Sequence, residues 1–103
     1  MDNKELMVFL RTTLVKIENA INLLTQDLPK HILAYHKALG IQQKFRGLSN
    51  EHKNQMLPQI IIARSIINYL VNGRYKVALD QILKLRKELI HIYSQLENER
   101  DTD

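Results

Sequence analysis

The chain contains no cysteine, and only three glycines and two prolines punctuate its 103 residues. The first absence removes disulfide stapling, on which small secreted domains depend, and so favours the cytosol. The second argues against many short strands, because each extra turn draws on Gly or Pro; few and long elements are expected. Long uncharged runs are lacking too. The longest extends from Asn54 to Ala63, too short to cross a bilayer. The opening residues, MDNKELMVFLRTTL, mix acid and base into their apolar stretch, unlike the basic start and apolar core of a secretion signal. A cytoplasmic chain is the expectation.

Catalytic signatures are also missing. There is no Gly-x-Gly-x-x-Gly, no phosphate loop and no Gly-x-Ser-x-Gly. Among His31, His36, His52 and His91 no two lie four residues apart, so no two-histidine zinc face forms on one helix. Glu88-Leu89-Ile90-His91 matches half of a di-iron bundle site, but a second Glu-x-x-His is absent. Ser49, Ser65 and Ser94 have no His and acid at suggestive positions. A chain this short builds one core without a deep cleft. No catalytic residue, cofactor or metal ligand is predicted, and the protein is read as non-enzymatic.

What the sequence does have is apolar periodicity. Leu6, Leu10, Leu14, Ile17, Ile21 and Leu24 recur every three or four residues, one stripe of an α-helix. Asp2 or Asn3 would cap it. A second helix is signalled by Asp27-Leu28-Pro29, an acidic cap with Pro in the first turn. Ile32, Tyr35 and Leu39 form one row of it; Ala34, Ala38, Ile41 and Phe45 form another. Gly40 sits inside, where it costs about 1 kcal/mol against Ala, and Gly47 is a natural stop. The polar LSNEHKNQ, residues 48–55, reads as a loop or a single helical turn capped by Ser49.

PQIIIARSIINYLVNGRYK poses the one real ambiguity. Its β-branched run would suit a buried strand, and Asn72-Gly73 often marks a hairpin. Strict alternation fails, however, and Arg64 would sit at the strand's centre. Met56, Ile60, Ala63, Ile67 and Leu70 fall at helical spacing, flanked by Ile62, Ile66 and Tyr69. After Gly73 come Ala78, Ile82, Leu85, Leu89, Ile92 and Leu96, again at helical spacing. Asn72-Gly73 is thus a helix end, with Gly supplying a left-handed conformation. The prediction is an all-α chain, one domain over residues 1–103, folded as an antiparallel up-down four-helix bundle. The helices are expected at about 3–25, 28–46, 57–72 and 75–97, followed by a charged, frayed tail at 98–103.

The net charge of +4 is uneven: residues 1–27 sum to −1, 28–53 to +4, 54–87 to +5 and 88–103 to −4. Such a basic middle serves solubility, or it meets an anionic partner. The cluster Lys84-Leu85-Arg86-Lys87, with Arg74 and Lys76 ahead of it, is the candidate docking surface. Lys76, Asp80, Lys84, Lys87 and Glu88 are expected to share the outward side, and Asp80 supports Lys84 one turn away. Nucleic acid is disfavoured as a partner. Ala38-Leu39-Gly40-Ile41 has the look of a helix-turn-helix corner, but Arg46 and Ser49 then occupy positions that need apolar anchors. Tyr35, Phe45, Tyr69 and Tyr93 fall mostly on core rows rather than forming stacking platforms.

Over ARSIINYLVNGRYKVALDQILKLRKEL, Ala63 to Leu89, an apolar helix, a short turn and a Leu-rich helix with a charged tail follow. This layout, in a Cys-free chain, resembles the immunity proteins of class II bacteriocins, the enterocin A immunity type. The resemblance implies a cytosolic protein that protects a producing cell against a pore-forming peptide. It implies docking, from the cytoplasmic side, on the sugar phosphotransferase permease that the bacteriocin uses as its membrane receptor, or on the bacteriocin–receptor complex, with selectivity in the C-terminal half. Arg74, Lys76, Lys84, Arg86 and Lys87 would then supply electrostatic contact near the membrane. Two other readings stay open: a small helical adaptor or regulator that binds nucleic acid, and a module whose apolar rows pack against a second copy.

Overall fold

A computed structural model describes residues 3–26 and 30–101, with backbone alone for residues 100 and 101. All regular structure among the described residues is helical: α1 (Asn3–Leu24), α2 (His31–Arg46), α3 (Asn50–Gln55), α4 (Leu57–Val71) and α5 (Tyr75–Asp101). Five helices stand where four were expected. The added one is α3, in the polar 48–55 segment. Ser49 caps it by accepting a hydrogen bond from the His52 N–H at 3.4 Å, and Leu48 and His52 are buried beneath it.

The helix ends follow local chemistry. α2 begins later than residue 28, because Lys30 at φ −96°, ψ 78° lies outside the helical region. The Asp27-Leu28-Pro29 signal and the Asp2 cap lie outside the described residues. Pro58 occupies the first turn of α4, where its missing N–H leaves no intrahelical bond unmade. α4 ends in a doubly bonded cap: Gly73 N–H donates to Leu70 O at 3.2 Å and Arg74 N–H to Tyr69 O at 2.8 Å. This pattern requires the left-handed residue supplied by Gly73 at φ 74°. Gly47 differs, closing α2 at φ −77°, an ordinary right-handed value. α5 runs four residues past the expected end at 97. Nothing in Asn98-Glu99-Arg100 breaks a helix, Leu96 still packs on the core, and Glu97 faces Arg11 at 3.8 Å.

The packing is read from pairs distant in sequence. Arg11 meets Tyr93 and Glu18 meets Arg86, so α1 and α5 run in opposite senses. Phe9 packs edge-on against Phe45 with centroids 4.9 Å apart, and Gly40 lies beside Lys16, so α1 and α2 are also opposed. α2 packs on α4, and α4 on α5. Leu10, Ile17, Phe45, Ile66, Ile82, Leu85 and Leu89 are fully buried at the shared centre, each worth about 1.5–3 kcal/mol relative to exposure. Met7 and Met56 belong to this interior. The molecule measures 47 × 25 × 17 Å, with a length set by α5, whose 27 residues span about 40 Å.

Two inward rows differ from expectation. In α2 the row of Ala34, Ala38, Ile41 and Phe45 is buried, whereas Ile32 is 75% exposed and Tyr35 and Leu39 are half-buried. In α4 the buried set is Gln59, Ile62, Ala63, Ile66 and Leu70, while Ile60 and Ile67 are half-buried and Ile61 is exposed. An apolar face this wide offers several rotations. The positions of α2 and α5 on either side select the one seen.

Candidate docking surface

α5 turns Ala78, Ile82, Leu85 and Leu89 inward. At 3.6 residues per turn this sends Lys76, Asp80, Lys84 and Lys87 to the opposite side, and all four are exposed. Three of the five predicted docking residues therefore share one face, with Asp80 between Lys76 and Lys84. The other two stand apart. Arg86 rotates toward α1, where its Nη1 donates to Glu18 Oε1 at 2.9 Å. Arg74 sits in the α4–α5 turn with its guanidinium 5.5 Å from the centre of the Tyr69 ring, in cation–π range.

Glu88 does not join the outward face. It is half-buried and accepts a hydrogen bond from Gln59 Nε2 at 2.8 Å, linking α5 to α4. The pair places a polar contact at the edge of the core, where a carboxylate needs a donor.

Beside Arg74, the start of α2, the end of α4 and the start of α5 enclose a shallow groove of about 200 Å³. Its centre is a stack of His31 on Tyr75, with ring centroids 3.5 Å apart and planes 8° from parallel. Tyr35 and Leu70 form its inner wall; Ile32 and Val71 stand at its rim, 75% and 65% exposed. Lys30, Arg74 and Lys76 adjoin the lining residues in the chain and are exposed. The groove thus combines projecting apolar side chains with cations. From the sequence, Ile32 falls on an apolar row of α2 and His31 is weighed only as a metal ligand, while Val71 and Tyr75 carry no signal of a groove. Helical spacing gave no signal for Val71, which lies one turn after Ile67 and is left exposed because no helix covers the end of α4 there.

A polar cluster ties α3 to the start of α1. Glu5 Oε1 accepts from the Ser49 backbone N–H at 2.9 Å and lies 2.8 Å from His52 Nδ1. These two hydrogen bonds, the backbone one first, hold the Glu5 carboxyl below its ordinary value. An ionised carboxylate only accepts, so Nδ1 carries the shared proton. His52 is itself 2% exposed, and its Nε2 has no hydrogen-bond partner among the described residues. The arrangement is a structural clasp: its histidine ring is closed to solvent.

Among the described residues, no group of three His, Cys, Asp or Glu side chains converges as a metal site would require. No described helix is long and apolar enough to cross a membrane. Comparisons with protein families, with curated proteins and with solved structures return no match for this chain.

Proposed function

We propose that this chain is a non-enzymatic binding protein that confers immunity to a pore-forming class II bacteriocin. In this reading, the four longer helices form an antiparallel up-down bundle, and α3 is a short insertion clasped to its side. The protein works in the cytoplasm and docks on the membrane receptor of the bacteriocin, or on the bacteriocin–receptor complex. The observation that carries the reading is the α4–α5 turn. There Ile32 and Val71 project beside Arg74 and Lys76, the pairing of apolar and cationic groups that suits a surface beside anionic headgroups. Lys84 and Lys87 extend the same charge along α5. Arg86 contributes less, because Glu18 already engages it.

The test is expression in a bacteriocin-sensitive strain. Protection is expected against the peptide encoded beside this gene, and Ile32→Ser with Val71→Ser should reduce it at unchanged protein level. Full sensitivity to every co-encoded peptide would remove the proposal. Unaltered protection by the double variant would move the docking surface elsewhere.

A further inference from the structure

A second opening lies at the other end of the α2–α4 seam, and none of its described lining residues comes from α5. It is a cleft of about 130 Å³ between the end of α2, α3 and the start of α4. Its apolar lining comes from Phe45, Ile60 and Ala63, and Phe45 and Ala63 are core residues, 1% and 2% exposed. Around this recessed floor stand three cations from three helices: Arg46 of α2, Lys53 of α3 and Arg64 of α4, with Gln42 beside them. Among the described residues, the lining includes no carboxylate. Arg46 and Arg64 are exposed and Lys53 is half-buried.

We infer that this cleft is a binding site for an acidic peptide segment of a partner protein, which inserts one apolar side chain between carboxylates. The size argument comes first. A cavity of about 150 Å³ accommodates a benzene ring, so the opening matches one aromatic or branched aliphatic side chain. The charge argument comes second. Two guanidinium groups and an ammonium around one apolar hole match carboxylates on either side of the inserted residue, and Arg forks bind carboxylates in two-point fashion. Arg clusters that read acidic motifs work on this principle. The shape argument separates a peptide from a bilayer. A membrane surface is met by apolar groups that project, as Ile32 and Val71 do at the opposite end of the seam. Inside this opening Phe45 and Ala63 are recessed below the cations, so only an inserted knob reaches them, while the exposed Ile61 stands outside the lining. A single anchor in such a pocket dominates affinity, and the flanking charges set the rate of association and its salt dependence.

The probe is a dye-labelled pentapeptide, Glu-Asp-Phe-Glu-Glu, followed by fluorescence anisotropy with the intact chain. Saturable binding is expected, weakening at least fivefold between low and physiological salt. Arg46→Glu and Arg64→Glu should each weaken it at least tenfold. Lys37→Glu, an equal change of net charge at an exposed site on α2 away from the cleft, should change it less than twofold. Replacing the peptide's Phe with Ala should cost at least fivefold. Helical circular dichroism and thermal melting verify that the variants are folded, and Arg64→Gln serves in place of any reversal that unfolds. The inference is overturned by an absence of binding to the wild-type chain, by equal effects of Lys37→Glu and Arg64→Glu, or by indifference to the peptide's Phe. It also falls if the peptide fails to bind while phosphatidylglycerol vesicles bind the wild type and not Arg64→Glu, since the cleft then faces lipid. None of these outcomes bears on bacteriocin protection through the α4–α5 turn, which the resistance assay of the Ile32 and Val71 double variant addresses separately.

Discussion

The two ends of the α2–α4 seam are made from the same pair of helices and enclose different openings. At the start of α2 and the end of α4, apolar side chains project: Ile32 and Val71 are exposed, and the cations adjoin them. At the end of α2 and the start of α4, the apolar side chains that line the opening are recessed and Arg46, Lys53 and Arg64 stand around it, while Leu57 and Ile61 are exposed on the outer face of α4. The difference arises from what covers each end. At the first, the seam is met by the aromatic stack of His31 and Tyr75, which leaves the outer residues bare. At the second, α3 lies near the seam and adds Lys53 to the rim. One end is built from residues that the core does not use, the other from core residues seen through an opening. A protein surface acquires its specificity from such local arrangements more than from total charge.

The largest test of this contrast is structural. Phe45→Ala removes a fully buried ring that packs on Phe9, and should cost about 3–5 kcal/mol by urea denaturation. Ile32→Ser, at the opposite end, should stay within about 0.5 kcal/mol of wild type, as surface changes do. Similar losses for the two would erase the distinction between borrowed core and surplus surface. A smaller effect is expected at the turn end itself. Gly73 holds φ 74°, and Gly73→Ala should cost about 1–2 kcal/mol, the penalty of a left-handed Cβ, read as a lower melting temperature.

The cleft end has a signature in pH. Glu5, which clasps α3 through Ser49 and His52, has a carboxyl held below the ordinary 4.5. A depressed folded value means that the ionised clasp stabilises the fold at pH above about 4.5 and is lost as pH falls through the lower folded value. Glu5→Gln should therefore flatten the acid limb of a denaturant-midpoint versus pH curve, while Ile32→Ser leaves that limb unchanged. An acid limb identical in wild type and Glu5→Gln would detach α3 from this carboxylate. The smallest effect belongs to α1 and α5, away from the seam. The Arg86–Glu18 pair is solvent-accessible on both sides, and Arg86→Ala should cost about 0.2–1 kcal/mol, measurable by a double-mutant cycle with Glu18→Ala.

Much of the helical layout was legible because apolar spacing repeats over many residues. The stripe Ala78, Ile82, Leu85, Leu89 is both regular in sequence and buried in the fold. Asn72-Gly73 could be read as a helix end because a helical pattern resumed after it. α3 was legible only in part: the polar 48–55 segment allowed a single helical turn capped by Ser49, but six polar residues show no apolar period, and what fastens His52 is a carboxylate 47 positions away. Of the residues predicted for docking, Lys76, Lys84 and Lys87 have outward positions that follow from helical geometry on α5 alone. That Arg86 is engaged could not be read from its neighbours, because Glu18 lies 68 residues distant. The same holds for Glu88, drawn from the outward face by Gln59.

By itself the sequence determined that this chain forms helices, roughly where they begin and end, and that a left-handed glycine turns α4 into α5. Those are consequences of local backbone preference and of a repeat that every three or four residues reports on its own. Only the tertiary structure decided which rotation of the wide apolar face of α4 points inward, that the His52 ring of α3 is enclosed, and that one seam opens in two different ways. Each of these depends on which distant side chain arrives as a neighbour, and short-range periodicity contains no record of that.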